Sequence, residues 1–205
     1  MKPVTLNSEQ VFVTGEFNLQ NIEILKIYHR IFEQNLGSAL PPVIVIQNNG
    51  EIINGIKKVI EKIQQPKRWS HVNYVHLPWY PGEYVKDNAL IDAREKYDKF
   101  LRNSEKVSHY LIDGNHRTAG AVLAHKSFPA LELNSDEDLS KIKTMVEEGE
   151  LFNFIREEIS ISNLLTSLTK YCLTNLEEVK TIQQRVDKLV LENQLPDYMI
   201  ERYKK

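Results

Sequence analysis

The chain has 205 residues, 26 basic and 28 acidic side chains, a formal net charge of -2, and 41% apolar and 26% charged residues. That composition suits one globular domain with a sizeable core, or a domain with a smaller appendage, and excludes a broadly basic nucleic-acid coat while leaving room for a local basic groove. Nothing resembles a transmembrane span of roughly 20 apolar residues. MKPVTLNSEQ lacks the apolar core of a secretory signal, and Cys172 is the only cysteine, which rules out an internal disulfide and a cysteine-rich zinc site. The expectation is a cytoplasmic protein with no membrane association.

Taken in chain order, VFVTG predicts a short strand within residues 1–16. Residues 19–36 predict a helix, with Ile22, Leu25, Ile31 and Phe32 sharing a face and Gly37 ending the run. In PPVIVIQNNG, Pro41 and Pro42 lead a β-branched run into an Asn49-Gly50 turn, the pattern of a buried strand. Residues 51–65 read two ways. Asn48 and Glu51 have capping-box spacing, and Ile52, Ile56, Val59, Ile60 and Ile63 recur at helical spacing. The Asn-Gly turn also permits a hairpin with EII as its return strand. The helix is favoured for 56–65, and 51–55 stays open.

Residues 71–77, HVNYVHL, alternate as a strand does; PWYPGEY is a loop; 87–102 reads as a helix. HYLI is a short strand, 116–125 a helix and FPALEL the next strand, which implies an α/β or α+β core over about 40–133. From Ser135 the pattern is helical. Ser135 with Asp138 has capping-box spacing ahead of 139–148, Gly149 precedes a helix over 150–170, and Thr174 with Glu177 has the spacing of another box. Val179, Ile182, Val186 and Leu189 then mark a helix that Pro196 stops or bends. We therefore expect an α+β fold with a mixed core over 1–134 and a helical extension over 135–205, packed on or beside that core and available to a protein partner.

The joint between HYLI and the following helix carries the chemistry. Asp113-Gly114-Asn115-His116-Arg117-Thr118 ends a strand and opens a helix. Gly114 admits a tight turn, and the amides of a helix's first turn lack intrahelical acceptors and suit an anion. Arg117 offers a planar fork for phosphate oxygens, His116 a group that titrates near neutrality, and Thr118 a hydroxyl. Ala119, Val122 and Leu123 bury the opposite face, and Gly120 permits a close backbone approach. The competing reading is an Asp-capped helix with Arg117 in a solvated salt bridge.

The stretch LIDGNHRTAGAVLAHKSFPALEL resembles the conserved block of the ParB-like and sulfiredoxin-like superfamily, through Asp113, Gly114, His116, Arg117 and Ala119 and then Phe128-Pro129-Ala130. PPVIVIQNNG resembles the strand that precedes it. Members bind nucleotide phosphates with the Gly-x-x-Arg turn and helix. Some hydrolyse CTP in DNA segregation, others use ATP to activate a cysteine sulfinate or phosphorylate free serine, and some are described as nucleases. The resemblance implies a ParB/sulfiredoxin-like core, phosphate binding by Gly114, Asn115, His116 and Arg117, and ATP or CTP with Mg²⁺ as the cofactor. The long segment between PPVIVI and the block departs from the family's short turn. The second basic motif and the helix-turn-helix domain of segregation proteins are not apparent in this sequence. His116 stands where sulfiredoxin has its cysteine, which argues against sulfinate repair.

Further candidates lie nearby. Glu83 in PWYPGEY, four residues before Asp87, is a candidate catalytic acid or base, and with Asp113 a candidate Mg²⁺ ligand; Asp92 and Arg94 read as helix surface, though Asp92 could reach a cleft. His71 and His76 fall on opposite faces of a strand, and His109 with His116 is a weak zinc pair. His29 and His125 read as helix residues. Trp69, Trp79 and Tyr80 suit base stacking or a rim, and Lys67-Arg68 is too short for a nucleic-acid signature. Three functions follow: a nucleotide-binding, phosphoryl-transferring or hydrolysing protein; a metal-dependent nuclease with His116 as base and Asp113 or Glu83 on the metal; or a non-catalytic partner-binding regulator. In the first, Arg117 is expected to matter more for phosphate than for folding.

Overall fold

Four successive residues, Val43, Ile44, Val45 and Ile46, are all buried. A strand buries consecutive side chains only when both faces of its sheet are covered. In the computed structural model, which describes residues 1–13, 21–63, 87–104, 106–152, 160–177 and 179–205 (backbone alone at 59, 60, 62, 63 and 87–94), that strand lies in a six-stranded sheet between two helical layers. The strands are β1 Lys2–Leu6, β2 Val11–Val13, β3 Val43–Gln47, β4 His109–Asp113, β5 Phe128–Leu133 and β6 Lys180–Thr181. Their order is β1-β5-β3-β4-β2-β6. The β5–β3 and β4–β2 pairs are parallel and the other three antiparallel.

The helices are α1 Ile22–Glu33, α2 Glu51–Ile63, α3 Asp87–Ser104, α4 Asn115–Leu123, α5 Asp136–Glu147, α6 Ile161–Thr174, α7 Ile182–Leu191 and α8 Asp197–Tyr203. The strand alternation splits the core in two. Ile44, Ile46, Tyr110 and Ile112 face Ile52 and Ile56 of α2, Phe100 of α3, Ile142 of α5 and Leu164 of α6. Val43, Val45 and Leu111 face Leu25 and Phe32 of α1, Val122 of α4, Val186 of α7 and Met199 of α8. The region expected as an extension is woven into both layers, and β6 pairs with β2 at the edge of the sheet. Among the described residues no helix is long and apolar enough to cross a membrane.

Several local readings change. Helix α2 starts at Glu51, so 51–55 is helical. Its cap differs, because Asn48 donates to the Val107 carbonyl, 2.9 Å away, and Asn49 Oδ1 takes the Glu51 amide. The Ser135–Asp138 box does not form: Ser135 donates to Glu137, while Asp138 accepts from the Asn134 amide and the Met1 ammonium. Thr174 closes α6, and the box that opens α7 is Thr181 with Gln184. Strands β1 and β6 were not anticipated. The strand expected at 71–77 and the loop PWYPGEY lie outside the described residues, with Glu83, Trp69, Trp79, Tyr80, His71, His76, Lys67 and Arg68. Asp87, Asp92 and Arg94 fall on α3 where only the backbone is described.

Candidate functional site: the turn and cleft at the start of α4

Strand β4 delivers the chain to Gly114, which adopts φ 117°. A Cβ there would sit 2.5 Å from Val43 Cγ1, so the turn needs glycine both for its angle and for its contact with β3. The Thr118 amide donates to the Gly114 carbonyl at 2.9 Å and closes the first helical bond of α4. The helix supplies no acceptor for the amides before it. Gly120 lets α1 against α4: a Cβ would meet Tyr28 Cβ at 2.8 Å and the His29 backbone nitrogen at 2.9 Å.

That close crossing creates a cleft of about 640 Å³ between α1 and the start of α4. Asp113, Gly114, Asn115, His116 and Arg117 line one side; Ile24, Ile27, Tyr28 and Ile31 of α1 line the other, with Leu40, Ile112 and Phe152 completing it. Four of the five residues expected to bind phosphate therefore border one concavity. Thr118 does not: it is fully buried, and its hydroxyl donates back to the Gly114 and Asn115 carbonyls of its own turn.

Arg117 is turned inward rather than out. Its Nη1 donates to the Pro41 and Pro42 carbonyls, each at 2.6 Å, and its Nη2 to Asp113. The Phe152 ring lies 5.4 Å from the guanidinium carbon, and the residue is 5% exposed. Burial lowers its pKa from the ordinary arginine value, and the Asp113 carboxylate opposes that shift. In place of the solvated salt bridge of the competing reading, the structure has a buried brace that ties α4 to the Pro-Pro lead of β3.

His116 Nε2 is buried with no hydrogen-bond partner among the described residues. Burial lowers its pKa, which keeps the imidazole neutral near pH 7. The Tyr28 hydroxyl is raised above its ordinary value by burial, an effect Arg117 opposes and Asp113 reinforces. His109 is held elsewhere, between the Ser108 hydroxyl at Nδ1 (2.7 Å) and Glu132 at Nε2 (2.8 Å), so it does not join His116. Among the described residues no three His, Cys, Asp or Glu side chains come together as a metal site.

The apolar wall of the cleft escaped the sequence reading. Its signal was present: Ile24, Ile27 and Ile31 form a second stripe at helical spacing, so Ile31 lines the cleft instead of sharing the buried face of Leu25 and Phe32 as expected. The three-residue bond of Arg117 to Pro41 and Pro42 had no local signal. Compared with protein-family models, curated proteins and solved structures, the chain matches none.

Proposed function

We propose that this is a nucleotide-binding protein on a ParB/sulfiredoxin-like core, with the ligand's phosphate held at the start of α4 by Gly114, Asn115 and His116. The observation that carries the reading is the opening of this glycine turn onto the cleft along α1. Helix-start amides and the positive end of α4 favour an anion there. Arg117 acts by fixing the turn, and its charge is shared with Asp113. His116, held neutral, is the group that can accept a proton from an attacking water or hydroxyl, which extends the reading from binding to phosphoryl transfer or hydrolysis. Among the described residues Asp113 is the one acid lining the cleft and is paired with Arg117; Glu83, its expected partner on Mg²⁺, lies outside the described residues, and no step is routed through a metal.

The test is calorimetric titration with nucleoside mono-, di- and triphosphates, with and without Mg²⁺, on the wild type and Asn115→Asp. The substitution keeps the side chain's shape, suits the helix dipole and repels phosphate. The reading expects at least a tenfold loss of affinity with an unchanged melting temperature. Equal affinity in the two proteins would refute the phosphate seat.

A further inference from the structure

The cleft's lining is lopsided in a way that selects its ligand. Among the described residues, Asp113 and Arg117 are its only charged side chains, and they neutralise each other in an ion pair. Arg117 spends its Nη1 on two carbonyls and lies under Phe152. His116 is held neutral by burial. What remains for an anion is the positive end of α4, equivalent to about half an elementary charge. A polyphosphate is ordinarily held by lysine, arginine and metal ions that offset several negative charges. Among the described residues no lysine lines this cleft.

Apart from Tyr28 and Asn115, the other side chains of the lining are apolar and partly open. Ile27 is 59% exposed, Ile24 39% and Phe152 50%, around one concavity with Ile31 and Leu40. Ligand sites are typically apolar clefts with a few polar groups that fix orientation, and this cleft has that balance. An apolar or aromatic body laid along Ile24, Ile27 and Ile31, with Phe152 at its other edge, would cover these side chains. The same pose directs one anionic group to the helix start, and Asn115 and Tyr28 supply polar contacts.

We propose that the cleft takes a compact ligand with a flat apolar body and a single phosphate, a nucleoside monophosphate in preference to a triphosphate. This rests on the reading of the α4 turn as the phosphate seat and goes beyond it in naming the ligand's charge and the surface that holds its body. Ile24, Ile27 and Phe152 are then specificity-determining residues, and the apolar stripe on α1 is the body's seat.

The experiment titrates the four common nucleoside monophosphates, their triphosphates with and without Mg²⁺, and the four nucleosides into the wild type and Ile27→Asp. Ile27 is largely exposed, so the variant folds; its melting temperature and circular dichroism check this. A monophosphate binding at least tenfold tighter than its triphosphate in both conditions, and at least tenfold weaker in Ile27→Asp, is the expected result. A triphosphate that binds as tightly or more tightly overturns the proposal and leaves the phosphate seat standing. So does Ile27→Asp with unchanged affinity. A nucleoside that binds as well as its monophosphate, and is lost in Ile27→Asp, supports the apolar seat and overturns the phosphate reading. No binding by any of the twelve overturns both.

Discussion

Replacing Arg117 with alanine removes a brace, and its cost can be worked from the contacts. The guanidinium gives two 2.6 Å bonds to the Pro41 and Pro42 carbonyls and one bond to Asp113. Hydrogen bonds to charged groups contribute about 1.5–3 kcal/mol each, but such values do not add. Removing one partner of a buried pair costs about 3–5 kcal/mol. The Asp113 side chain is 34% exposed and regains water in the variant, which places the loss toward the lower end. We expect Arg117→Ala to lose about 3–4 kcal/mol, or roughly 10 °C in melting temperature for a chain of this size. Arg117→Lys should recover less than half, because an ammonium cannot fork to both carbonyls and Asp113 at once. Urea unfolding followed by circular dichroism measures both. A loss under about 1 kcal/mol in Arg117→Ala would refute the brace and restore the expectation that Arg117 matters chiefly for phosphate.

Three other predictions follow from the packing. Gly120→Ala should destabilise by about 1–3 kcal/mol despite alanine's better helix propensity, because the new methyl meets the α1 backbone; a stabilised variant in urea would contradict the close crossing. His29 is 1% exposed, and its Nε2 has no hydrogen-bond partner among the described residues and lies 3.8 Å from Glu33. Burial is the main cause that holds its pKa below the ordinary 6.5, so as pH falls the unfolded chain binds the proton first and stability declines. The urea midpoint should drop from pH 7 to pH 5, and less in His29→Gln; equal drops would contradict this. The Cys172 thiol, fully buried in α6 and pushed up to about 12 by that burial, should resist a thiol reagent at pH 8 until urea unfolds the chain; labelling of the native protein at a free-thiol rate would refute that packing.

What could be read from the sequence was local. HYLI, the glycine after Asp113 and the small residues of α4 announce a strand, a turn and a tightly packed helix within one short stretch, and Gly114 and Gly120 have the tight turn and close approach expected of them. The β-branched run of β3 was legible for the same reason. What could not be read was the choice of partner. Asn48, Ser135 and Thr174 all have capping-box spacing, yet Asn48 bonds the distant Val107 carbonyl, Ser135 bonds Glu137 in its own first turn, and Thr174 ends α6. β1 shows four of five residues at least partly exposed, so it lacks the apolar alternation that marks a strand, and β6 is only two residues long. Arg117 reads as a phosphate fork from its neighbours and becomes a brace through carbonyls 75 and 76 residues away.

The most direct test of the central claim is a ¹H–¹⁵N amide spectrum recorded as a nucleoside monophosphate is added. A phosphate at the helix start should shift the amides of Asn115, His116 and Arg117 most, with smaller changes along Ile24, Ile27 and Ile31; the matching nucleoside should leave the first group in place. Shifts confined to another surface, or none at saturating ligand, would contradict the account.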